Sequence, residues 1–149
     1  MIKSITIENA GLHERQLIIS LLAGDNLPVE DLPASLDSFL VAIAENNIAG
    51  VIGLEQYENY GLLRSLVVRK EFRNSKIASQ LIREIEIKAM MSGIDDLYLF
   101  TETAPQYFES KGYKKVGRED VPRAVQASTE FNSVCPVSAI VMKKSLPGR

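Results

Sequence analysis

A short polar loop joins an apolar, strand-like segment to the longest predicted helix of the chain. The segment ends with Leu66–Val68, and the loop Arg69–Lys76 leads into a helical pattern that begins at Ile77. The first N–H groups of a helix lack internal partners and carry partial positive charge, so they can hold a phosphate. Arg73 and Lys76 add two cations. The junction therefore predicts an anion site, and the alternative is an ordinary strand-to-helix turn with surface bases.

Three further ionisable side chains stand at strand ends or inside strand-like segments. Glu55 follows the apolar run Ile48–Leu54, and Glu102 follows the segment Leu97–Phe100. Either carboxylate can serve as a general base, although a solvated surface glutamate is the simpler interpretation. Arg64 lies within an otherwise apolar segment, where an uncompensated guanidinium is costly to bury. It should therefore meet either an anionic substrate group or a protein carboxylate in a structural salt bridge.

The composition is that of one ordinary globular domain covering residues 1–149. The 149 residues include 17 Lys and Arg against 19 Asp and Glu, which gives a net charge of −2, and 46% of them are hydrophobic. This balance argues against nucleic acid and an anionic membrane surface as partners. The apolar stretches fall far short of the roughly 20 residues that span a bilayer, and the first residues lack the features of an export signal. We therefore expect a cytoplasmic protein.

The chain contains one cysteine, Cys135, and one histidine, His13. These numbers exclude an internal disulfide and a zinc site built from Cys and His, so no metal is expected. Cys135 offers a single soft ligand, whereas stable capture of a soft ion normally needs more than one thiolate. An inert loop cysteine is the favoured interpretation.

The spacing of apolar residues predicts an α/β fold with a central mixed sheet flanked by helices. Strands are predicted at 2–7, 39–44, 48–57, 62–68, 97–100, 113–116 and 138–142, and helices at 12–22, 77–89, 105–111 and 121–131. Asn46-Asn47 and Glu58–Gly61 are the expected hairpin turns, and Gly93 and Gly112 the expected helix stops. Because the long helix joins the strands at 62–68 and 97–100, those two strands should be parallel neighbours.

The loop resembles the first signature of the GCN5-related N-acetyltransferases, the GNAT family. In that signature Arg or Gln, two residues, Gly, one residue and Gly or Ala cradle the pyrophosphate of acetyl-CoA. The stretch Arg73-Asn74-Ser75-Lys76-Ile77-Ala78 matches at Arg73 and Ala78, whereas Lys76 replaces the first glycine. Glycine lets the backbone approach the diphosphate, while a lysine side chain either crowds it or pairs with phosphate. The departure implies weakened donor binding.

A second signature of the family is a helix that ends in an aromatic residue, three residues, Gly and an aromatic residue. Phe108-Glu109-Ser110-Lys111-Gly112-Tyr113 is similar to it, and the predicted order of strands and helices is also the family's order. The resemblance therefore covers most of the chain and implies a single acyl-CoA N-acyltransferase domain.

The resemblance also implies roles for individual residues, with acetyl-CoA as cosubstrate. A neutral amine attacks the thioester directly, and the N–H of Val68 is the candidate for stabilising the oxyanion. Phe108 stands where many relatives carry the tyrosine that protonates the leaving thiolate, and Thr101 where they often carry an asparagine. A thiol with a pKa of about 8.5 can leave unaided, so slow chemistry is expected. The implied donor-binding residues are Leu66, Val67, Val68, Arg73, Asn74, Ser75, Lys76, Ile77, Ala78, Ser79, Thr101 and Phe108.

A closer resemblance links three segments to acetyltransferases encoded beside arsenic-resistance genes. The segments are Arg64-Ser65-Leu66, Tyr107–Tyr113 and Thr129–Ala139. The resemblance implies a small amine acceptor, such as an amino-acid-like compound or an organoarsenical toxin, with Arg64 and Arg123 as candidate acceptor-binding residues. Two alternatives are an acyl-CoA-binding module with little turnover and a protein N-acetyltransferase. Both a monomer and a homodimer fit the sequence.

Overall fold

The computed structural model describes residues 5–25, 29, 32–33, 36–73, 76–102, 104–128 and 139–147. Three residues singled out by the sequence, Asn74, Ser75 and Cys135, lie outside the described residues. The same holds for residues 129–131 of the predicted helix 121–131 and for most of the segment Thr129–Ala139.

Seven strands and four α-helices make up the described chain. The strands are β1 (Ile5–Asn9), β2 (Phe39–Ala44), β3 (Asn47–Tyr57), β4 (Tyr60–Val68), β5 (Asp96–Thr101), β6 (Lys114–Val116) and β7 (Ile140–Ser145). The helices are α1 (Arg15–Gly24), α2 (Ile77–Met91), α3 (Pro105–Ser110) and α4 (Arg123–Gln126). Short 3₁₀ turns cover Leu12–Glu14, Lys70–Phe72 and Arg118–Asp120.

The strands form one mixed sheet in the order β1-β2-β3-β4-β5-β7-β6, which confirms the predicted fold class. β1 pairs antiparallel with β2, β2 with β3, and β7 with both β5 and β6. β4 and β5 are parallel, with Tyr60–Leu62 in register with Asp96–Tyr98. The crossover from β4 through α2 to β5 is therefore confirmed.

The chain divides into two compact units, of which the first comprises the described residues up to Leu54 together with Ser65–Lys88. Its core contains apolar residues of α1, of strands β2 and β3 and of the end of β4. These are Ile18, Leu22, Phe39, Val41, Ile48, Val51 and Val67, with Ala10, Leu32 and Leu36 from the connecting segments. The run Ile48–Leu54 is buried throughout, as a central strand requires. Only part of the predicted apolar stripe of α1 contributes, because Leu17 is 49% exposed.

The second unit comprises Glu55–Arg64 and the described residues from Ala89 onward. Its core cluster consists of Leu62, Tyr98, Val121, Val125 and Val141, against which Tyr57, Tyr60, Phe100 and Val116 pack. Burial raises the pKa of Tyr98 from 10.0 to about 12, and Asp96, Tyr60 and Asp120 add to this shift. The Tyr98 hydroxyl is therefore protonated throughout the physiological pH range.

Both predicted helix stops are confirmed, and each has the geometry of a Schellman motif. Gly93 and Gly112 have φ of 83° and 97°, the left-handed region that favours glycine. After α3, the N–H of Gly112 donates to the carbonyl of Glu109 and the N–H of Tyr113 to that of Phe108, at 3.1 and 3.0 Å. These bonds satisfy carbonyl groups that the end of the helix leaves without intrahelical partners.

One predicted turn is displaced by one residue, and a second is shorter than predicted. The turn between β2 and β3 is Glu45-Asn46, with φ of 53° and 65°, rather than Asn46-Asn47. A register shift between Ala42 and Ile43 sets Asn47 opposite Ala44, so Asn47 belongs to β3. The next turn is Glu58-Asn59, and Gly61 lies inside β4.

The predicted helix 121–131 is shorter than expected in its described part. α4 begins after Pro122, and the N–H of Ser128 donates to the carbonyl of Val125 at 2.9 Å. That bond spans three residues rather than four, so the α-helical turn tightens and ends at this point.

Candidate functional site

In the first unit, the end of β4 is held against β3 by backbone and side-chain hydrogen bonds. Arg69 donates from its N–H to the carbonyl of Ala49 at 2.8 Å and from Nε to that of Ile48 at 2.6 Å. Gly50 permits a close approach, because a Cβ at this position would lie 2.9 Å from the carbonyl oxygen of Val67. The last residues of β4 therefore have a fixed backbone. Of the predicted donor-binding residues there, Val67 and Val68 are buried and Leu66 is half-buried.

Arg73, the first residue of the predicted phosphate-binding motif, is tied to the protein through two of its nitrogens. Its Nε donates to the carbonyl oxygen of Val68 at 3.0 Å. Its Nη2 lies 3.1 Å from Oδ1 of Asp25, the residue that follows α1. The side chains of Arg73 and Asp25 are 46% and 41% exposed. A guanidinium has five N–H donors. Arg73 therefore has donors left for an anion while its position is fixed.

Lys76 stands immediately before α2 in a conformation that explains the glycine of the family motif. Its φ is 67°, in the left-handed region where a side chain is strained. Its carbonyl accepts from the N–H of Gln80 at 3.1 Å, an i→i−4 bond in the first turn of the helix. Ile77 and Ala78 are the first two residues of α2, where backbone N–H groups generally lack partners within the helix. Ile77 is buried, Ala78 and Ser79 are half-buried, and Lys76 is exposed.

In the second unit, Arg64, Glu55 and Tyr57 form a polar network on neighbouring strands. Nη1 of Arg64 lies 2.7 Å from Oε2 of Glu55, and the side chains of the two residues are 1% and 18% exposed. The hydroxyl of Tyr57 donates to the other oxygen, Oε1, of Glu55. The predicted need of Arg64 for an anion is thus met by a protein carboxylate. This is the salt-bridge alternative of the sequence analysis.

Thr101 and Phe108 of the second unit both support the local structure around α3. The hydroxyl of Thr101 accepts a hydrogen bond from the N–H of Ala104 at 3.1 Å, just before the first residue of α3. The half-buried ring of Phe108 makes edge-on contacts with Tyr107 and Tyr113, with ring centroids 5.5 and 5.9 Å apart. Thr101 therefore both ends β5 and supports the start of the helix.

The two remaining predicted site residues, Glu102 and Arg123, are exposed. Glu102 follows β5 directly, and Arg123 is the first residue of α4. The roles predicted for them, general base and acceptor binding, stay predictions.

The segment 35–115, which includes residues of both units, matches the family model described as an acetyltransferase (GNAT) domain. The chain belongs to the GNAT acetyltransferase family. The match covers more than half of the chain and includes the first signature and the second as far as Tyr113. The arsenic-associated subgroup stays a hypothesis.

The relatives of this GNAT chain are distant, and the amino-acid acetyltransferases among them are much longer than this chain. It is 26% identical over 98 residues to an uncharacterized N-acetyltransferase of Chlorobaculum tepidum, covering 65% of this chain and 63% of that one. It is 24% identical over 96 residues to an amino-acid acetyltransferase of Mannheimia succiniciproducens, covering 63% of this chain. The chain thus spans less than two thirds of the first relative and only 22% of the second.

A solved structure shows the same fold. N-acetylglutamate synthase from Neisseria gonorrhoeae, complexed with coenzyme A and N-acetyl-glutamate, has a TM-score of 0.84 at 16% identity. The likeness covers 97% of this GNAT chain and 35% of that chain.

The sequence analysis did not identify two residues of these networks, Asp25 and Tyr57, as partners of the predicted site residues. Asp25 reaches Arg73 across 48 positions of the sequence, and no local pattern indicates such a partner. Tyr57 had a signal, because it follows Glu55 by two residues in the same strand and so shares its face.

Within the described residues, no group of three or more His, Cys, Asp or Glu side chains could hold a metal ion. In that same part of the chain, no helix is long and apolar enough to cross a membrane.

Proposed function

We propose that the chain is an acetyl-CoA-dependent N-acetyltransferase that transfers the acetyl group to the amine of a small molecule. The observation that carries the proposal is the turn from β4 into α2. There the backbone of Val68 fixes Arg73, and the first N–H groups of a 15-residue helix follow Lys76. Such a turn suits the diphosphate of coenzyme A, because it offers backbone donors and two cations. The family and the CoA-bound solved structure support this assignment.

In the proposed reaction the nitrogen lone pair of the neutral amine attacks the carbonyl carbon of the thioester. The C–S bond then breaks, and its electron pair leaves on sulfur as the CoA thiolate. We assign the N–H of Val68 to the oxyanion that forms in between, since a fixed backbone donor costs no reorganisation during the reaction. The backbone of Val68 is fixed at its carbonyl group, which accepts a hydrogen bond from Nε of Arg73.

The proton released by the amine needs an acceptor. Glu55 and Glu102 are the proposed bases, with water as a carrier. Glu102 is exposed and follows β5, whereas Glu55 already accepts hydrogen bonds from Arg64 and Tyr57. Thr101 and Phe108 remain proposed contacts of the donor.

An amino-acid-like acceptor is supported by the name of the Mannheimia succiniciproducens relative, an amino-acid acetyltransferase. An organoarsenical acceptor rests on the resemblance to the arsenic-associated subgroup alone. Arg123, exposed at the start of α4, is the proposed acceptor contact in either case.

A calorimetric titration with acetyl-CoA, followed by thiol-release assays with a panel of amines, tests the proposal. We expect micromolar binding and amine-dependent release of CoA. Absence of binding by both acetyl-CoA and desulfo-CoA would contradict the donor site. ATP, which has phosphates but no pantetheine arm, serves as the ligand control.

A second candidate is an acyl-CoA-binding module with little turnover. The observation that favours it is Phe108, whose ring cannot supply the proton that a tyrosine supplies in many relatives. Tight acetyl-CoA binding without CoA release for any amine of the panel is the result that separates this candidate from the enzyme.

A further inference from the structure

Asp25 lies at the C-terminal end of α1, where a negative charge is unfavourable. It is the residue that follows the helix, and its N–H donates to the carbonyl of Leu22 at 3.1 Å. The last carbonyl groups of a helix carry partial negative charge, so cations are favoured there and carboxylates are not. The last turn of α1 has no basic residue of its own. The chain thus adds an acidic side chain to a helix end that is already negative.

Arg73 supplies the positive charge that this helix end lacks. Both residues belong to the first compact unit, and Nη2 of Arg73 lies 3.1 Å from Oδ1 of Asp25. An ion pair that is partly exposed on both sides contributes little to the stability of a fold. We therefore expect the larger effect of Asp25 on the charge that Arg73 presents to a ligand.

The guanidinium of Arg73 can bind a diphosphate without releasing Asp25. Of its five N–H donors, one on Nε serves the carbonyl of Val68 and one on Nη2 serves Asp25. Within the described residues, this leaves three donors, on Nη1 and Nη2. A phosphate bound there shares one guanidinium with the carboxylate of Asp25. Two anions on one cation repel each other, so each weakens the binding of the other.

Asp25 accordingly has two opposite effects on donor binding. Its hydrogen bond restricts the guanidinium, which favours binding, whereas its negative charge lies close to the diphosphate and opposes binding. The bond from Nε to the carbonyl of Val68 restricts Arg73 independently of Asp25. The charge of Asp25 should therefore have the larger effect.

We propose that Asp25 lowers the affinity of the donor site for the diphosphate of coenzyme A and thereby favours release of the product CoA. This inference rests on the proposed function and adds a residue that limits how tightly its donor site holds the ligand. Acetyl-CoA and CoA carry the same diphosphate, so Asp25 weakens the binding of both. Asp25 acts through Arg73 and through its own charge, and it is assigned no contact with the reacting atoms.

Calorimetric titrations of desulfo-CoA and CoA into the wild type and Asp25→Asn test this inference. Asparagine keeps an oxygen that can accept from Nη2 and removes the charge, so both ligands should bind about fivefold more tightly to the variant. The variant should fold, because the lost ion pair is partly exposed. A residue that only positioned Arg73 would give the opposite sign. Equal or weaker binding by Asp25→Asn overturns the inference.

Salt dependence and a matched variant connect the gain in affinity to the charge at this position. In 1 M salt the Debye length is about 3 Å, so the difference between Asp25→Asn and the wild type should disappear. Glu84→Gln makes the same change of net charge at an exposed residue of α2 and should leave both Kd values unchanged. A gain that persists in 1 M salt, or an equal gain in Glu84→Gln, overturns the inference.

Failure of the proposed function gives a different result. If neither the wild type nor Asp25→Asn binds desulfo-CoA, the donor site itself is contradicted, and the proposed function falls together with the inference. If the wild type binds desulfo-CoA and Asp25→Asn binds it no more tightly, only the inference about Asp25 falls.

Discussion

Arg73 donates a hydrogen bond from Nε to the carbonyl oxygen of Val68 at 3.0 Å, across the turn that leaves β4. The same guanidinium reaches Asp25 with Nη2. The arginine of the phosphate-binding motif thus has a structural role in addition to the charge that it contributes. Its two contacts restrict the side chain before any ligand arrives, which lowers the entropy that binding must remove.

Replacing Arg73 should weaken coenzyme A binding by more than its charge alone explains. We expect Arg73→Gln to raise the Kd of desulfo-CoA about tenfold, because both a cation and the fixed turn are lost. Arg73→Lys keeps the charge but cannot form the same forked contacts, so it should restore only part of the affinity. Calorimetry measures the Kd, and Arg83→Gln, on the exposed face of α2, is the matched control. Equal affinity in the Gln variant and the wild type would disprove the role.

The ion pairs Arg64–Glu55 and Arg73–Asp25 differ in burial, and their loss should differ in cost. Glu55→Ala leaves the buried guanidinium of Arg64 without its carboxylate, and the free energy of unfolding should fall by about 3–5 kcal/mol. Asp25→Ala removes an exposed pair and should cost less than about 1 kcal/mol. Urea unfolding of both variants gives the comparison. Similar losses for the two variants would show that burial does not separate these pairs.

The sequence predicted most of the sheet because each strand has its own apolar pattern and the turns contain recognisable residues. The βαβ crossover and both helix stops followed from local signals, such as the glycines at Gly93 and Gly112. The one-residue shift of the turn at Glu45-Asn46 could not be predicted from local signals, because it depends on a register irregularity two residues earlier in β2. Local patterns carry no information about such pairing.

The candidate site was predictable where the motif is continuous in sequence and less so where partners are distant. The end of β4 at Val68 and the start of α2 at Ile77 could be predicted from their residue types. The choice between a substrate and a protein partner for Arg64 could not, because it depends on the spatial position of Glu55. The pairing of Arg73 with Asp25 likewise arises from tertiary packing.

Lys76 should be replaceable by glycine with a gain in stability. Its φ of 67° is strained for any residue with a Cβ, so Lys76→Gly should be more stable than Lys76→Ala by about 1 kcal/mol. The alanine variant removes the same charge, so the comparison isolates the backbone effect. Thermal and urea unfolding supply the two free energies. A glycine variant that is less stable than the alanine variant would contradict the strained conformation.

The buried hydroxyl of Tyr98 should make the protein sensitive to alkaline pH. Its pKa is raised to about 12 in the folded chain, above the value of 10.0 for an unburied tyrosine. Between these two pH values the unfolded chain loses the proton and the folded chain keeps it. The free energy of unfolding therefore keeps its full contribution from Tyr98 below pH 10 and falls as the pH rises toward 12. A shift of this size corresponds to a loss of at most about 3 kcal/mol.

Tyr98→Phe removes this titration and should flatten the alkaline part of the stability curve. Urea unfolding at several values between pH 8 and pH 11 compares the variant with the wild type. Tyr107→Phe is the control, because Tyr107 is half-buried and is not among the groups that raise the pKa of Tyr98. If the wild type and Tyr98→Phe lose stability in parallel above pH 10, other groups cause the alkaline sensitivity and the buried hydroxyl of Tyr98 does not.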